Sequence, residues 1–291
     1  MNFDTLSRRH FGLFGALAAV PVAPAIAQTP RTLPTAPRDI LNTMVRIGGT
    51  SGKNRVTYKT RIIVYAVEPT GVRPLVGLRG SESAWWKKID DDTFIRYSST
   101  LSFFEDLETG KFIDEFKNPL TGATNKVGVS FIRHKEGEFY TTKGEYFGTM
   151  KKAFPDVYKD ETPAPKWKLD GDIIRIQGNS NFPPILQQPT KEAATSFAFA
   201  SEVFDPKVET PRAFVSGWNI RPWERWLEMG DRPGHVIWHF DGVKLDNVEL
   251  HDRDYLERAR AHTPLFDKSP EFDEGPSFFE RVIQNRGVKP S

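Results

Sequence analysis

Thr93-Phe94-Ile95-Arg96-Tyr97-Ser98-Ser99-Thr100-Leu101-Ser102-Phe103-Phe104-Glu105-Asp106, with Leu107-Glu108-Thr109-Gly110 directly behind it, is the stretch on which the fold class turns. Phe94, Ile95, Leu101, Phe103 and Phe104 give it apolar surface, and it reads as a strand. Glu108-Thr109-Gly110 reads as a hairpin turn, Lys111 to Lys117 as the strand that pairs back, and Asn118-Pro119-Leu120-Thr121-Gly122 as a second turn into a strand from Asn125 to His134.

The same period of two extends in both directions. Val56 to Glu68 and Arg73 to Arg79 read as strands before it, and Lys166 to Gln177, Thr195 to Phe204, Ala213 to Asn219, His235 to Phe240 and Val243 to Leu250 after it. Asp241-Gly242 reads as a hairpin between the last two. Helices are few. Arg38 to Ile47 is one, ended by Gly48-Gly49; Pro222 opens a short one over Trp223 to Met229, closed by Gly230; Asp252 to His262 and Ser277 to Asn285 are the others. So many antiparallel strands have edges to hide and one face to bury, which closure achieves. The expected fold is therefore mostly β, an antiparallel meander closing into a β-barrel or strongly curved sheet with a few peripheral helices. A two-sheet sandwich is the alternative.

The N-terminus carries an address. Ser7-Arg8-Arg9-His10-Phe11 has the Ser-Arg-Arg-x-Phe core of a twin-arginine leader, followed by an apolar stretch from Phe11 to Ala27. A membrane-spanning helix needs about 20 apolar residues; this run is shorter, holds Pro21 and Pro24, and ends in Ala25-Ile26-Ala27, a small-x-small cleavage pattern. The expected organisation is a signal peptide over residues 1–27, a linker over 28–37, and a single β-rich domain over 38–291 including the C-terminal helices. The expected location is periplasmic or secreted, with the twin-arginine translocation machinery as partner and no stable membrane span after cleavage.

Composition narrows the function classes. The 40 Lys and Arg stand against 38 Asp and Glu, interspersed without a long block of one sign, and the leader removes only Arg8, Arg9 and Asp4. A protein that works by neutralising phosphates shows a basic patch or stripe, so no nucleic acid partner is expected. With no cysteine there is no disulfide framework, thiolate metal site or thiol nucleophile. Stability has to come from a core, for which 22 Phe, 7 Trp and 7 Tyr provide large apolar area.

Several short motifs recur in one bacterial family. Glu105-Asp106-Leu107-Glu108-Thr109-Gly110, Phe116-Lys117-Asn118-Pro119-Leu120-Thr121-Gly122, Ser216-Gly217-Trp218, Arg221-Pro222-Trp223 and Glu228-Met229-Gly230-Asp231-Arg232-Pro233-Gly234-His235 together resemble the family catalogued as domain of unknown function number 1838. The resemblance covers most of the chain behind the leader, and Trp226 stands where it implies a proline. It implies export and single-domain organisation and carries no chemistry with it.

The tryptophan-rich segment holds the candidate site. Trp223, Trp226 and Leu227 fall at helical spacing and form an apolar stripe, which reads first as a core plug. The functional reading is a mouth in which Trp218, Trp223 and Trp238 wall an aromatic pocket and Arg221 or Arg232 meets an anionic group on a ligand. His235 and His239 share one side of a strand but lie roughly 13 Å apart at about 3.3 Å per residue, too far to chelate one metal ion, so no metal is expected. One of them, oriented by Glu228 or Asp231, is a candidate general base. Asp90-Asp91-Asp92 reads as a solvated loop rather than a calcium cage. No Gly-x-Ser-x-Gly elbow, His-Glu-x-x-His or phosphate loop occurs, and no cofactor is implied. Two main expectations remain: a binding module for a small aromatic or carboxylated ligand, and an enzyme of hydrolase or isomerase type using a histidine and a carboxylate. An envelope interaction protein is a third.

Overall fold

In the computed structural model, residues 32–49, 55–143, 146–147, 166–182 and 190–276 are described. The leader, most of the linker, Gly52-Lys53 and the helix expected over Ser277 to Asn285 lie outside them.

β-branched side chains crowd Val56–Glu68 and make it strand β1, as expected. It turns at Gly71, where φ is 140°, into β2, Gly71–Lys88. β2 runs well past Arg79, because Gly80 to Lys88, poor in apolar alternation, is laddered to β3, Thr93–Glu105, on one side and as far as Ala84 to β1 on the other. β4, Glu115–Lys117, and β5, Thr124–Lys126, form a separate two-stranded ribbon around the Asn118 to Gly122 turn, in which the Gly122 N–H donates to the Asn118 carbonyl. The strand expected from Asn125 is therefore divided, and β6 is Val129–Thr141. β7 is Tyr146–Phe147, β8 Lys166–Asp170, β9 Ile173–Phe182, β10 Thr190–Phe199, β11 Ala213–Arg221 and β12 His235–Leu245.

Ten strands form one sheet in the order β7-β6-β3-β2-β1-β12-β11-β10-β9-β8. Every pairing is antiparallel, and the seam between β1 and β12 joins the two halves of the chain. Among the described residues these ten strands are hydrogen bonded into one sheet rather than divided between two, as a sandwich would have them. Nor does the ladder close into a barrel among the described residues, where β7 and β8 stand at its ends. Asp241-Gly242 is a correction of a different kind: it lies inside β12, which is flanked by β1 and β11 along its length. A Cβ on Gly242 would meet Val215 Cγ1 at 2.7 Å, so this glycine serves close packing rather than a turn.

One helix packs on each face. α1, Pro37–Gly48, brings Ile47 against Ile174, Ala198 and Ala213. Its C-terminal carbonyls accept from the sheet: Ile47 O from Tyr58 Oη at 3.1 Å and from Lys244 Nζ at 3.1 Å, and Gly48 O from Trp86 Nε1 at 3.1 Å. Cationic and N–H donors suit the negative end of a helix. Burial, with Arg46 nearby, pulls the Lys244 ammonium down to about 7. A single turn of helix, α2, Ala200–Val203, ends the segment expected to be strand through Phe204. Asp172 accepts there from the Ser201 N–H at 2.8 Å and the Ser201 hydroxyl at 2.5 Å.

On the opposite face α3, Arg253–His262, buries Tyr255, Leu256 and Ala259 against Leu101 and Phe103. His251 leads into it. The His251 Nε2–H donates to the Gly80 carbonyl at 2.9 Å while Nδ1 accepts from the Asp252 N–H at 2.8 Å, an arrangement open only to the neutral ring. Burial first of all holds its pKa below the ordinary 6.5. The unfolded chain therefore binds a proton that the folded one refuses, and this contribution is complete above about pH 6.5 and is lost as pH falls below it. Urea unfolding across that range is expected to show the slope, and His251→Gln to lack its share of it.

Candidate functional site

Strand parity and pairing decide which polar side chains meet. On the α1 face, Trp238, Asn219 and Glu192 stand side by side across β12, β11 and β10. Arg221, two residues beyond Asn219, places its guanidinium carbon 5.0 Å from the centre of the Trp238 ring. Its Nη1 is 3.5 Å from Glu224 Oε1. Three atoms of this group are buried without a hydrogen-bond partner: Arg221 Nε, Trp238 Nε1 and Asn219 Oδ1. Buried polar atoms in native proteins are nearly always satisfied by protein, water or ligand. Two N–H donors and one acceptor are thus left without a protein partner at neighbouring positions of the sheet.

A second group lies on the same face of β2, β3 and β6. The Arg96 guanidinium donates to both Glu82 and Glu138, and His134 is paired across the ladder with Ser98. Thr60 Oγ1 and Ser102 Oγ, on either side of Gly80, are buried without partners. A Cβ on Gly80 would come within 2.1 Å of Ser102 Oγ, so the hydroxyl fits there only because position 80 is glycine.

Burial disturbs the titrating groups of both clusters. It pushes the Glu192 carboxyl above its usual range, with Arg221 opposing, the charge of Glu138 adding and the Asn219 amide opposing. It draws His134 below 6.5, against Glu138 and with Arg96. Glu138 on β6 therefore acts on Glu192 on β10 although five strands separate them in the sheet.

Of the residues picked out from sequence, Arg221 and Trp238 are brought together. Trp218 is not with them: it lies on the α3 side of the sheet, 38 % exposed and opposite His239. His235 and His239 share that side, and the nearest carboxylate to His239 Nδ1 is Asp241, at 3.7 Å. Glu228 and Asp231 are exposed, and neither is hydrogen bonded to a histidine among the described residues. The expected helix over Trp223 to Met229 is a single 3-10 turn, Arg225–Leu227, stopped by Glu228 in the left-handed region at φ 52°. Its aromatic stripe is core. Trp226 packs edge-on against Phe104 and Phe116, and Leu227 is fully buried. Trp223 Nε1 donates to the Arg232 carbonyl at 2.7 Å, while the Arg232 guanidinium donates to Glu68 at 2.6 Å and to the Leu120 carbonyl at 2.8 Å. Arg232 is a tie between loops.

Asn219, Glu192, Arg96, Glu138 and His134 were missed. A charged residue at the parity of small, uncharged neighbours was the available signal, as with Glu192 among Ala194, Ser196 and Ala198. Among the described residues no three His, Asp or Glu side chains are arranged to hold a metal, and no helix is long and apolar enough to cross a membrane.

A family model described as "Protein of unknown function (DUF1838)" matches residues 55–277. No curated protein matches the chain. Among solved structures, the chain is similar to a candidate outer membrane protein from Bacteroides fragilis NCTC 9343, with 11 % identity over 70 % of this chain and 53 % of that one, and a TM-score of 0.26. The chain thus spans about half the length of that structure.

Proposed function

The chain belongs to the family described as Protein of unknown function (DUF1838), and from the geometry of its α1 face we propose that it binds a small carboxylate-bearing ligand at Arg221, Trp238, Asn219 and Glu192. The observation that carries the reading is the pair of buried, unpartnered N–H donors, Arg221 Nε and Trp238 Nε1, held together by the stacking of guanidinium on indole. Two N–H groups, one of them on a cation, are what a carboxylate oxygen pair accepts from, and charge-assisted bonds of this kind are about twice as strong as neutral ones. The indole ring offers the ligand's body an apolar, preferably aromatic, neighbour.

The reading takes the sheet to curl about its α1 face into a barrel-like wall. The turn after β11 supports this, since Trp226 packs against Phe104 on β3, four steps away in the sheet. The ligand would lie between apolar plugs: α1 with Ile47 at one end, and Trp226, Leu227 and Met229 at the other.

Native mass spectrometry of the purified protein, followed by calorimetry with the acid found or with acetate, benzoate and succinate, tests the proposal. Arg221→Met is expected to weaken a bound carboxylate by about 2–5 kcal/mol, roughly 30-fold or more, while Arg232→Met leaves it unchanged. Equal binding by wild type and Arg221→Met removes the site.

A second reading, an enzyme, is favoured by His134 rather than by His235 or His239. His134 is a largely buried imidazole kept neutral by burial, on the ligand's face and within the field of Glu138. His134→Asn that keeps ligand binding but abolishes conversion of the bound acid supports it. Export through the twin-arginine machinery is part of the proposal and rests on Arg8 and Arg9. Fractionation of an Arg8→Lys/Arg9→Lys variant is expected to show the protein retained in the cytoplasm.

A further inference from the structure

We propose that Glu192 grips the ligand's carboxylate through a shared proton, so that binding is coupled to proton uptake and the site selects an acid together with its proton. This rests on the carboxylate-binding reading above. The geometry comes from the ladder. Glu192 is paired directly with Asn219, and Asn219 with Trp238, so its carboxyl occupies the same row as the two groups that present unpartnered atoms. A ligand carboxylate placed against Arg221 and Trp238 and reaching across Asn219, one strand over, comes up to Glu192 on the next. Two carboxylates at contact distance do not both ionise; one keeps a proton and donates it to the other.

The surrounding charges favour that state. Arg221 on β11 is the cation facing Glu192, and it is already shared with Glu224. Glu138 faces it from β6, next to Arg96 and His134, and its charge works against ionisation of Glu192. Trp238 on β12 and Asn219 on β11 carry no charge, and the Asn219 amide is, besides Arg221, the group that favours the ionised form. Burial opposes the charged form further. Arg221, shared between Glu224 and the ligand, has no charge to spare for a third carboxylate, so Glu192 stays neutral and donates its O–H.

The proton balance is explicit. Below the pKa of Glu192 in the free protein the carboxyl is already protonated, the ligand binds without uptake, and affinity does not vary with pH. Above it, each ligand brings one proton from solvent, which forms the Glu192 O–H bond; no other bond is made or broken. Affinity then falls about tenfold per pH unit. Glutamine at this position donates an N–H at every pH.

The test is calorimetric titration of the wild type and Glu192→Gln with acetate and benzoate, from about pH 5 to about pH 9, in pairs of buffers that differ in ionisation enthalpy. Expected for wild type are a falling affinity and a proton uptake that approaches one on the alkaline limb. Glu192→Gln is expected to bind at every pH without the slope or the uptake. Wild-type binding that is independent of pH, or a slope that persists in Glu192→Gln, overturns the shared proton while leaving the carboxylate site standing. Absence of carboxylate binding by wild type at the acid end overturns both.

Discussion

Tyr255→Ala is expected to cost about 3–5 kcal/mol of folding stability, read as a lower urea midpoint with unchanged slope. Tyr255 is fully buried at the centre of the packing between α3 and the sheet. Its ring stacks on His251 with centroids 4.0 Å apart and meets Phe103 edge-on at 5.9 Å. Its hydroxyl lies 2.8 Å from Ser81 Oγ and donates to the Leu101 carbonyl at 2.9 Å. Truncation leaves a cavity and strands both oxygens, whereas Tyr255→Phe keeps the ring and strands them alone, for about 1–2 kcal/mol. A phenylalanine variant as unstable as the alanine one would show that the hydroxyl, and not the ring, anchors the helix.

That anchoring was half legible in the sequence. α1, β1, β3, β11 and α3 were read within a few residues of their limits, because each carries apolar residues at a single period and ends at a recognisable stop. The second half of β2 was not. Gly80 to Ser83 has no apolar alternation, since Gly80 makes room for Ser102, Ser81 meets Tyr255, and Glu82 meets Arg96. Its strand character comes from neighbours on both sides, which no local pattern reports. Asp241-Gly242 misled for the complementary reason: the dipeptide is a good turn in isolation, and the tertiary ladder overrides it. The site shows the same division. Parity put His235 and His239 on one side of their strand, and the ladder bears that out; that Trp238 faces the other way was not drawn from it. Which side faces the polar groups of β3, β6 and β10 follows from the β1–β12 seam, whose partners, Val67 with His235 at one end and Thr57 with Leu245 at the other, are far apart in the chain. Arg221 and Trp238 survive because a cation and an indole near each other in sequence can also stack in space.

Arg96→Met is expected to cost a further few kcal/mol, about 3–5, measured in the same way. The Arg96 guanidinium is largely buried, and it donates to Glu82 and Glu138 on the strands to either side. The bond to Glu82 contributes little, because that carboxylate is 36 % exposed and water takes over its solvation. Glu138 decides the magnitude: its side chain is 14 % exposed, and without the guanidinium its charge is left in a poorly solvated place that also contains Glu192. The variant should therefore recover part of the loss at acid pH, where carboxylates are protonated and the stranded charge is gone. Arg96→Met/Glu138→Gln removes the charge itself and is expected to be more stable than Arg96→Met alone near neutral pH. A double variant no better than the single one would mean that Arg96 acts by filling space on the α1 face rather than by holding a buried carboxylate, and the field that Glu138 is argued to exert on Glu192 would lose its support.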